Sequence, residues 1–172
     1  MSYKKSVANR QSPAGKKAFS NLIEIILVTA LTVILALITA ASLLNKRNSL
    51  DLDSTTKQIS ALLHEAQSRS AAEENFTVWG VHFDNSTSTT PFYSLFKTAY
   101  LSGGEIGHYR LPSDVKYSTS SISQGASVDV TFSQISGLPS ASTSITIYLT
   151  AAGTLTSKSS TISISSSGLI SF

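Results

Sequence analysis

The chain has no cysteine, few charges, and long stretches without glycine or proline. Without cysteine it can form no disulfide, so any folded part depends on its core and its hydrogen bonds. Charged residues make up only 13% of the 172 residues. No glycine lies between Gly15 and Gly80, and no proline lies between Pro13 and Pro91. A helix therefore meets no breaker over residues 19–74.

The positive charges are concentrated at the N-terminus. Five Lys and Arg residues precede residue 18 with no acid among them, and the rest of the chain carries a net charge of −2. The main folded part is therefore not basic, which argues against nucleic-acid binding.

An apolar run extends from Leu22 to Leu44. At about 1.5 Å per residue its 23 residues span roughly 34 Å, enough to cross a bilayer core of about 30 Å. The basic tail places the N-terminus in the cytoplasm and the C-terminal part outside it. A cleaved secretory signal is the alternative, although its apolar region is usually shorter, about 7–15 residues.

Glu24 is the only charged residue in this run. A carboxylate inside a membrane is costly and rare, so it is a functional candidate by default. A local alternative is a capping arrangement, with Asn21 as the N-cap and Glu24 reaching back to its backbone N–H.

The following segment, residues 46–75, is predicted to be an amphipathic extension of the helix. Its apolar positions recur at helical spacing, and charged or polar residues fall outside the stripe. These positions are Leu52, Ile59, Leu62, Leu63 and Ala66. The polar stretch 45–54 could be a frayed or bent joint between the two halves of the helix.

Beyond Asn75 the apolar period changes to two, which predicts strands over residues 76–172. The segment contains no stretch with the length and periodicity of a crossover helix, so the strands are expected to be antiparallel. The predicted strands are 77–83, 92–100, 108–111, 127–132, 145–149, 161–165 and 168–172. The fold class is therefore α+β, with a long helix packed on an antiparallel sheet domain. The Ser- and Thr-rich end, 118–172, is also compatible with a flexible stalk, but its alternating pattern favours strands.

No enzyme site is evident in the sequence. The three histidines lack metal-ligand spacing, and His64 and His82 are expected at the surface or at the rim of the core. Serine is abundant, but no Gly-x-Ser-x-Gly elbow occurs. We therefore predict no catalytic residues, no metal, no cofactor and no enzymatic activity.

The segment from Ala18 through Phe19, Ser20, Asn21, Leu22 and Ile23 to Glu24 resembles the prepilin motif of type IV pilins and type II secretion pseudopilins, commonly Gly-Phe-Thr-Leu-Ile-Glu. The resemblance implies a basic leader at residues 1–18, cut before Phe19 by a prepilin peptidase that methylates the new terminus. Ala18 stands where the family usually has Gly, and this cut makes Glu24 the sixth mature residue, where the family has it fifth. A cut between Phe19 and Ser20 would restore that spacing.

The middle of the chain is similar to H-type minor pseudopilins and related minor pilins, the GspH/FimT group. The similarity lies in Leu62-x-x-Glu65-Ala66-x-Ser68-Arg69, Trp79-Gly80-Val81-x-Phe83-Asp84, Tyr93-x-Leu95-Phe96, Tyr109-x-Leu111-Pro112 and the terminal Gly168-Leu-Ile170. It implies a pilin-like fold and a structural subunit of a type IV pilus or type II secretion-like filament.

The resemblance also implies a mechanism and a set of partners. Glu24 would pair with the amino terminus of a neighbouring subunit at Phe19, while residues 19–45 form the transmembrane and assembly helix. The predicted membrane and filament-core positions are Leu22, Ile26, Leu31, Leu35 and Ile38. Expected partners are other pilin or pseudopilin subunits, the peptidase, an inner-membrane assembly platform and lipid. The expected location is the cytoplasmic membrane and then the filament. An uncleaved, signal-anchored binding or adhesion module is the alternative.

Overall fold

The computed structural model describes the backbone of residues 14–101, 104–150 and 158–172, and the side chains of these residues other than 14–20, 41 and 43–45. The chain divides into two compact units, Met1–Leu44 and Asn45–Phe172. The α+β class is confirmed: an N-terminal apolar helix is followed by a short 3-10 helix and by two antiparallel sheets. Helix α1, Ala14–Ala71, contributes to both units.

In the first unit, the described side chains of residues 21–40 are all exposed. This segment is long and apolar enough to cross a membrane. Its threonines satisfy their hydroxyls within the helix. Thr29 Oγ1 lies 2.9 Å from the carbonyl oxygens of both Ile25 and Ile26, and Thr39 bonds the carbonyl oxygen of Leu35. Within the described segment 21–40, Glu24 is the charged side chain that is costly in lipid.

The capping alternative for Asn21 does not hold in the full chain. Helix α1 begins at Ala14, so Asn21 lies within the helix and not at its N-cap. Residues 45–54, the polar stretch predicted as a possible frayed or bent joint, are helical.

In the second unit, α1 buries the stripe that the sequence predicts. Leu52, Ile59 and Leu63 are completely buried, and Leu62 and Ala66 join them in the core. The helix ends at Ala71, and beyond it Glu73, Asn75 and Phe76 adopt positive φ values, which do not continue a right-handed helix.

Ser70 joins the end of the helix to the first strand. Its Oγ accepts a 2.8 Å hydrogen bond from the backbone N–H of Trp79, and the Trp79 indole donates to the carbonyl oxygen of Glu74 at 3.0 Å. Gln67 performs a similar role one turn earlier: its amide donates to the carbonyl oxygens of Gly137 and Gly168. The last two turns of α1 are thus fixed to the start of the first strand and to two loops of the β domain.

The β domain contains two four-stranded sheets. The strands are β1 Trp79–Asp84, β2 Phe92–Lys97, β3 Gly107–Arg110, β4 Val115–Tyr117, β5 Ser127–Phe132, β6 Thr143–Leu149, β7 Ser159–Ile164 and β8 Ile170–Ser171. Sheet A has the order β3-β2-β1-β5 and sheet B the order β4-β6-β7-β8. All the pairings between these strands are antiparallel. The division into two sheets and the short strand β4 are features that the sequence analysis did not predict.

One core cluster unites the helix stripe with one face of each sheet. In sheet B, buried and more exposed residues alternate along β6 and β7, which explains how a Ser- and Thr-rich sequence forms strands there. In sheet A, β1 and β2 are instead buried on both faces. Their second face is covered by aromatic side chains, including Phe96, whose ring lies so close to Gly80 that a Cβ there would be 2.8 Å from Cζ.

Candidate functional site

Glu24 is the one charged residue of the described apolar segment 21–40. It is exposed and has no hydrogen-bond or ion-pair partner among the residues that the structure describes. A charged carboxylate on an apolar helix costs several kcal/mol in lipid or in a packed helical core unless a cation pairs with it or a proton neutralises it. The described part of the chain supplies no such cation.

The predicted core positions of the same helix also lack partners. Their side chains are between 55% and 62% exposed, which leaves apolar residues uncovered around the helix. These are Leu22, Ile26, Leu31, Leu35 and Ile38. A helix that is apolar all round is normally buried in lipid or in other helices.

The predicted processing site is described only in part. Ala18, Phe19 and Ser20 are helical, but their side chains lie outside the described residues, as does the leader up to residue 13. The pairing of Glu24 with a terminus at Phe19 therefore stays a prediction.

A row of polar residues crosses the second face of sheet A. The strand register places Ser94, His82 and Asp129 side by side on β2, β1 and β5. His82 Nδ1 lies 2.5 Å from Asp129 Oδ1, and the His82 ring stacks on Tyr100 at 3.5 Å between centroids. The expectation that His82 lies at the surface or at the rim of the core is wrong, because its residue exposure is 4%. His64 is exposed, as expected.

This row contains the residue types of a serine hydrolase, but it lacks access. Ser94 is completely buried, and Tyr100 covers one face of the His82 ring. A nucleophilic serine must reach a substrate carbonyl. The row is better suited to holding the aromatic side chains that cover this face of sheet A, such as Tyr100. Burial raises the pKa of the Tyr100 phenol, and the Glu105 carboxylate adds to the effect.

An open groove lies between α1 and the β2–β3 side of sheet A. It encloses about 250 Å³ and is lined by Gln58, Ala61, Leu62, Glu65, Tyr93 and Tyr109. The two tyrosine rings stack at 5.4 Å, and Tyr93 Oη donates to Gln58 Oε1 at 3.1 Å. Burial, with Tyr109 close by, raises the pKa of Tyr93 to about 12.

The groove is not visible in the sequence because its residues come from three elements, α1, β2 and β3. Tyr93 and Tyr109 are 16 residues apart and meet only through the pairing of β2 with β3. One feature of the sequence could have indicated it. Gln58, Ala61 and Glu65 recur at helical spacing, which puts a small alanine between two long polar side chains on one helix face.

Within the described ranges, no cluster of three or more His, Cys, Asp or Glu side chains is suited to holding a metal ion. Comparison of the chain with protein-family models, curated proteins and solved structures gives no match.

Proposed function

We propose that this protein is a structural subunit, a minor pilin or pseudopilin, of a type IV pilus or type II secretion-like filament. In this proposal a prepilin peptidase removes residues 1–18, and the helix over 19–45 enters the filament from the membrane. The β domain remains on the extracytoplasmic side. The observation that carries the proposal is Glu24, a carboxylate with no partner among the described residues, on a segment, 21–40, whose apolar side chains are exposed on every side.

Glu24 would select one axial alignment of the packed helices among many. Contacts between Leu, Ile and Val side chains are non-directional, so apolar helices can pack in several axial positions at similar free energy. A carboxylate in that environment favours the position where it meets a cation. The amino terminus created by cleavage near Phe19 would supply such a cation on a neighbouring subunit.

The test replaces Glu24 in the full chain, expressed with its own assembly system. We expect Glu24→Ala and Glu24→Gln to insert into the membrane normally but to lower incorporation into filaments at least tenfold, equivalent to about 1.4 kcal/mol. The matched control is Thr32→Val, because the Thr32 hydroxyl bonds only the carbonyl oxygen of Thr29 in its own helix. Incorporation is measured as the fraction of protein in sheared filaments.

The mass of the mature N-terminus gives an independent readout. We expect loss of residues 1–18 and addition of one methyl group. An intact N-terminus, together with normal incorporation of Glu24→Ala, would contradict the proposal and favour an uncleaved, signal-anchored binding module.

A further inference from the structure

The chain contains two tripeptides of the form Asn-x-Thr, which is the acceptor sequence for N-linked glycans. They are Asn75-Phe76-Thr77 and Asn85-Ser86-Thr87. The pattern is short and occurs by chance in a chain rich in threonine, so the sequence alone selects neither of them. Both lie in the unit Asn45–Phe172, and the structure gives the two asparagines opposite environments.

Asn85 is held inside the fold directly after strand β1. Its exposure is 7%, and its side-chain nitrogen, Nδ2, donates to the carbonyl oxygen of Ile122 at 2.9 Å. Its backbone is fixed as well: its N–H donates to the carbonyl oxygen of Ala126 at 3.0 Å, and its carbonyl oxygen accepts the N–H of Gly125 at 2.7 Å. The atom that would carry a glycan is therefore buried and already hydrogen-bonded.

Asn75 is exposed in the turn between α1 and β1. Its side chain has no hydrogen-bond partner among the residues that the structure describes. Asn75 and its neighbours Glu73 and Phe76 have φ values of 60°, 51° and 52°. Such left-handed conformations are unfavourable for residues other than glycine, so the turn stores strain that local opening releases.

Thr77, the third residue of the exposed tripeptide, is also free to leave its place. Its Oγ1 is buried and has no hydrogen-bond partner among the described residues, so no hydrogen bond of this hydroxyl is lost when the segment is drawn out of the turn. Opening of residues 74–77 breaks the bond between the Trp79 indole and the carbonyl oxygen of Glu74. It leaves the pairing of β1 intact, because that pairing begins at Trp79.

We propose that Asn75 is the acceptor of an N-linked glycan and that Asn85 remains unmodified. In this reaction Asn75 Nδ2 attacks the anomeric carbon of a sugar carried on a lipid diphosphate. The bond between this carbon and the diphosphate oxygen breaks, the lipid diphosphate leaves with the bonding electrons, and the nitrogen releases one proton. The co-reactant is therefore a lipid-diphosphate-linked oligosaccharide, transferred by an enzyme on the extracytoplasmic side of the membrane. The inference rests on the placement of the β domain on that side in the proposed function.

Glycopeptide mass spectrometry of the full chain, produced in its native cells, tests the site. Trypsin cleavage after Arg69 and Lys97 gives one peptide, residues 70–97, that contains both asparagines. Electron-transfer fragmentation keeps a glycan on its residue and assigns it to Asn75 or Asn85. We expect a glycan mass on Asn75 and none on Asn85.

Matched threonine variants test whether the tripeptide directs the transfer. Thr77→Val removes the hydroxyl and keeps the shape of the side chain, so it should abolish the glycan without loss of stability, because that hydroxyl has no hydrogen-bond partner among the described residues. Thr77→Ser keeps the hydroxyl and should retain the glycan. Thr87→Val makes the same change in the buried tripeptide and should leave the glycan mass unchanged.

Three results would overturn the inference: an unmodified Asn75, a glycan on Asn85, or a glycan on Asn75 that persists in Thr77→Val. The mass of the mature N-terminus and the dependence of incorporation on Glu24, measured on the same samples, report separately on the proposed function. If the leader is removed and incorporation depends on Glu24 while Asn75 is unmodified, the proposed function stands without the glycan. If the N-terminus is intact and incorporation is independent of Glu24, the proposed function fails, whatever the state of Asn75.

Discussion

Replacing Ser70 by alanine tests the junction between α1 and the β domain. Ser70 is completely buried, and its Oγ accepts the backbone N–H of Trp79 at 2.8 Å. Alanine has no acceptor, so the Trp79 N–H would remain buried without a partner. Such a loss costs about 1–3 kcal/mol, because the donor has already given up its hydrogen bonds to water.

The matched control is Ser68→Ala. Ser68 lies two residues earlier on the same helix and is exposed. Both substitutions gain the same helix propensity from alanine, so their difference isolates the buried hydrogen bond. At roughly 4 °C per kcal/mol for a domain of this size, we expect Ser70→Ala to melt about 4–12 °C below Ser68→Ala.

The chain contains its own reporter for this experiment. Trp79 is the single tryptophan, and it is 1% exposed at the start of β1. Its fluorescence, recorded during thermal unfolding of the full chain in detergent, follows the same junction that the substitution weakens. A difference between the two variants below about 0.5 kcal/mol would refute the assignment of Ser70 as the anchor of Trp79.

Two further predictions concern sheet A and its tyrosines. We expect Gly80→Ala to destabilise the domain by about 1–3 kcal/mol in denaturant unfolding, with Gly104→Ala near neutral as the control. The new Cβ at Gly80 would lie 2.6 Å from the backbone oxygen of Val130, whereas at Gly104 the nearest atom is at 3.4 Å. Stability should fall between about pH 10 and 12, because the pKa of Tyr93 is raised from 10.0 to about 12 and the unfolded chain loses this proton first. Tyr93→Phe should make that part of the curve of unfolding free energy against pH less steep without abolishing the slope, because burial also raises the pKa of Tyr117 and of Tyr100. An unchanged slope would contradict the buried Tyr93 phenol.

Periodicity predicted the elements because each pattern expresses a local constraint. Leu52, Ile59 and Leu63 are seven and four residues apart, which puts them on one face of a helix. Alternation along residues 145–149 puts the apolar side chains on one face of a strand. The α+β class and the stripe of α1 follow from these patterns and are confirmed. The burial of His82 could not be predicted from its position. His82 alternates with Trp79, Val81 and Phe83, which shows that it lies on the opposite face of β1 but not what covers that face.

The pairing of strands decided what that other side contains. Tyr100 stacks on His82 and Asp129 bonds it, and both come from outside β1. In the same way, Tyr109 reaches Tyr93 only through the register of β3 on β2. Contacts between distant residues depend on which strands become neighbours, and local periodicity carries no information about that choice.

The sequence by itself determined the apolar helix, the isolated Glu24 and the amphipathic continuation, because these features depend on residue type and spacing along one element. Only the tertiary structure decided the division into two sheets, the anchoring of Trp79 by Ser70 and the tyrosine groove facing Glu65. Those features require side chains from separate elements to occupy one place, and that placement depends on long-range packing in the folded domain.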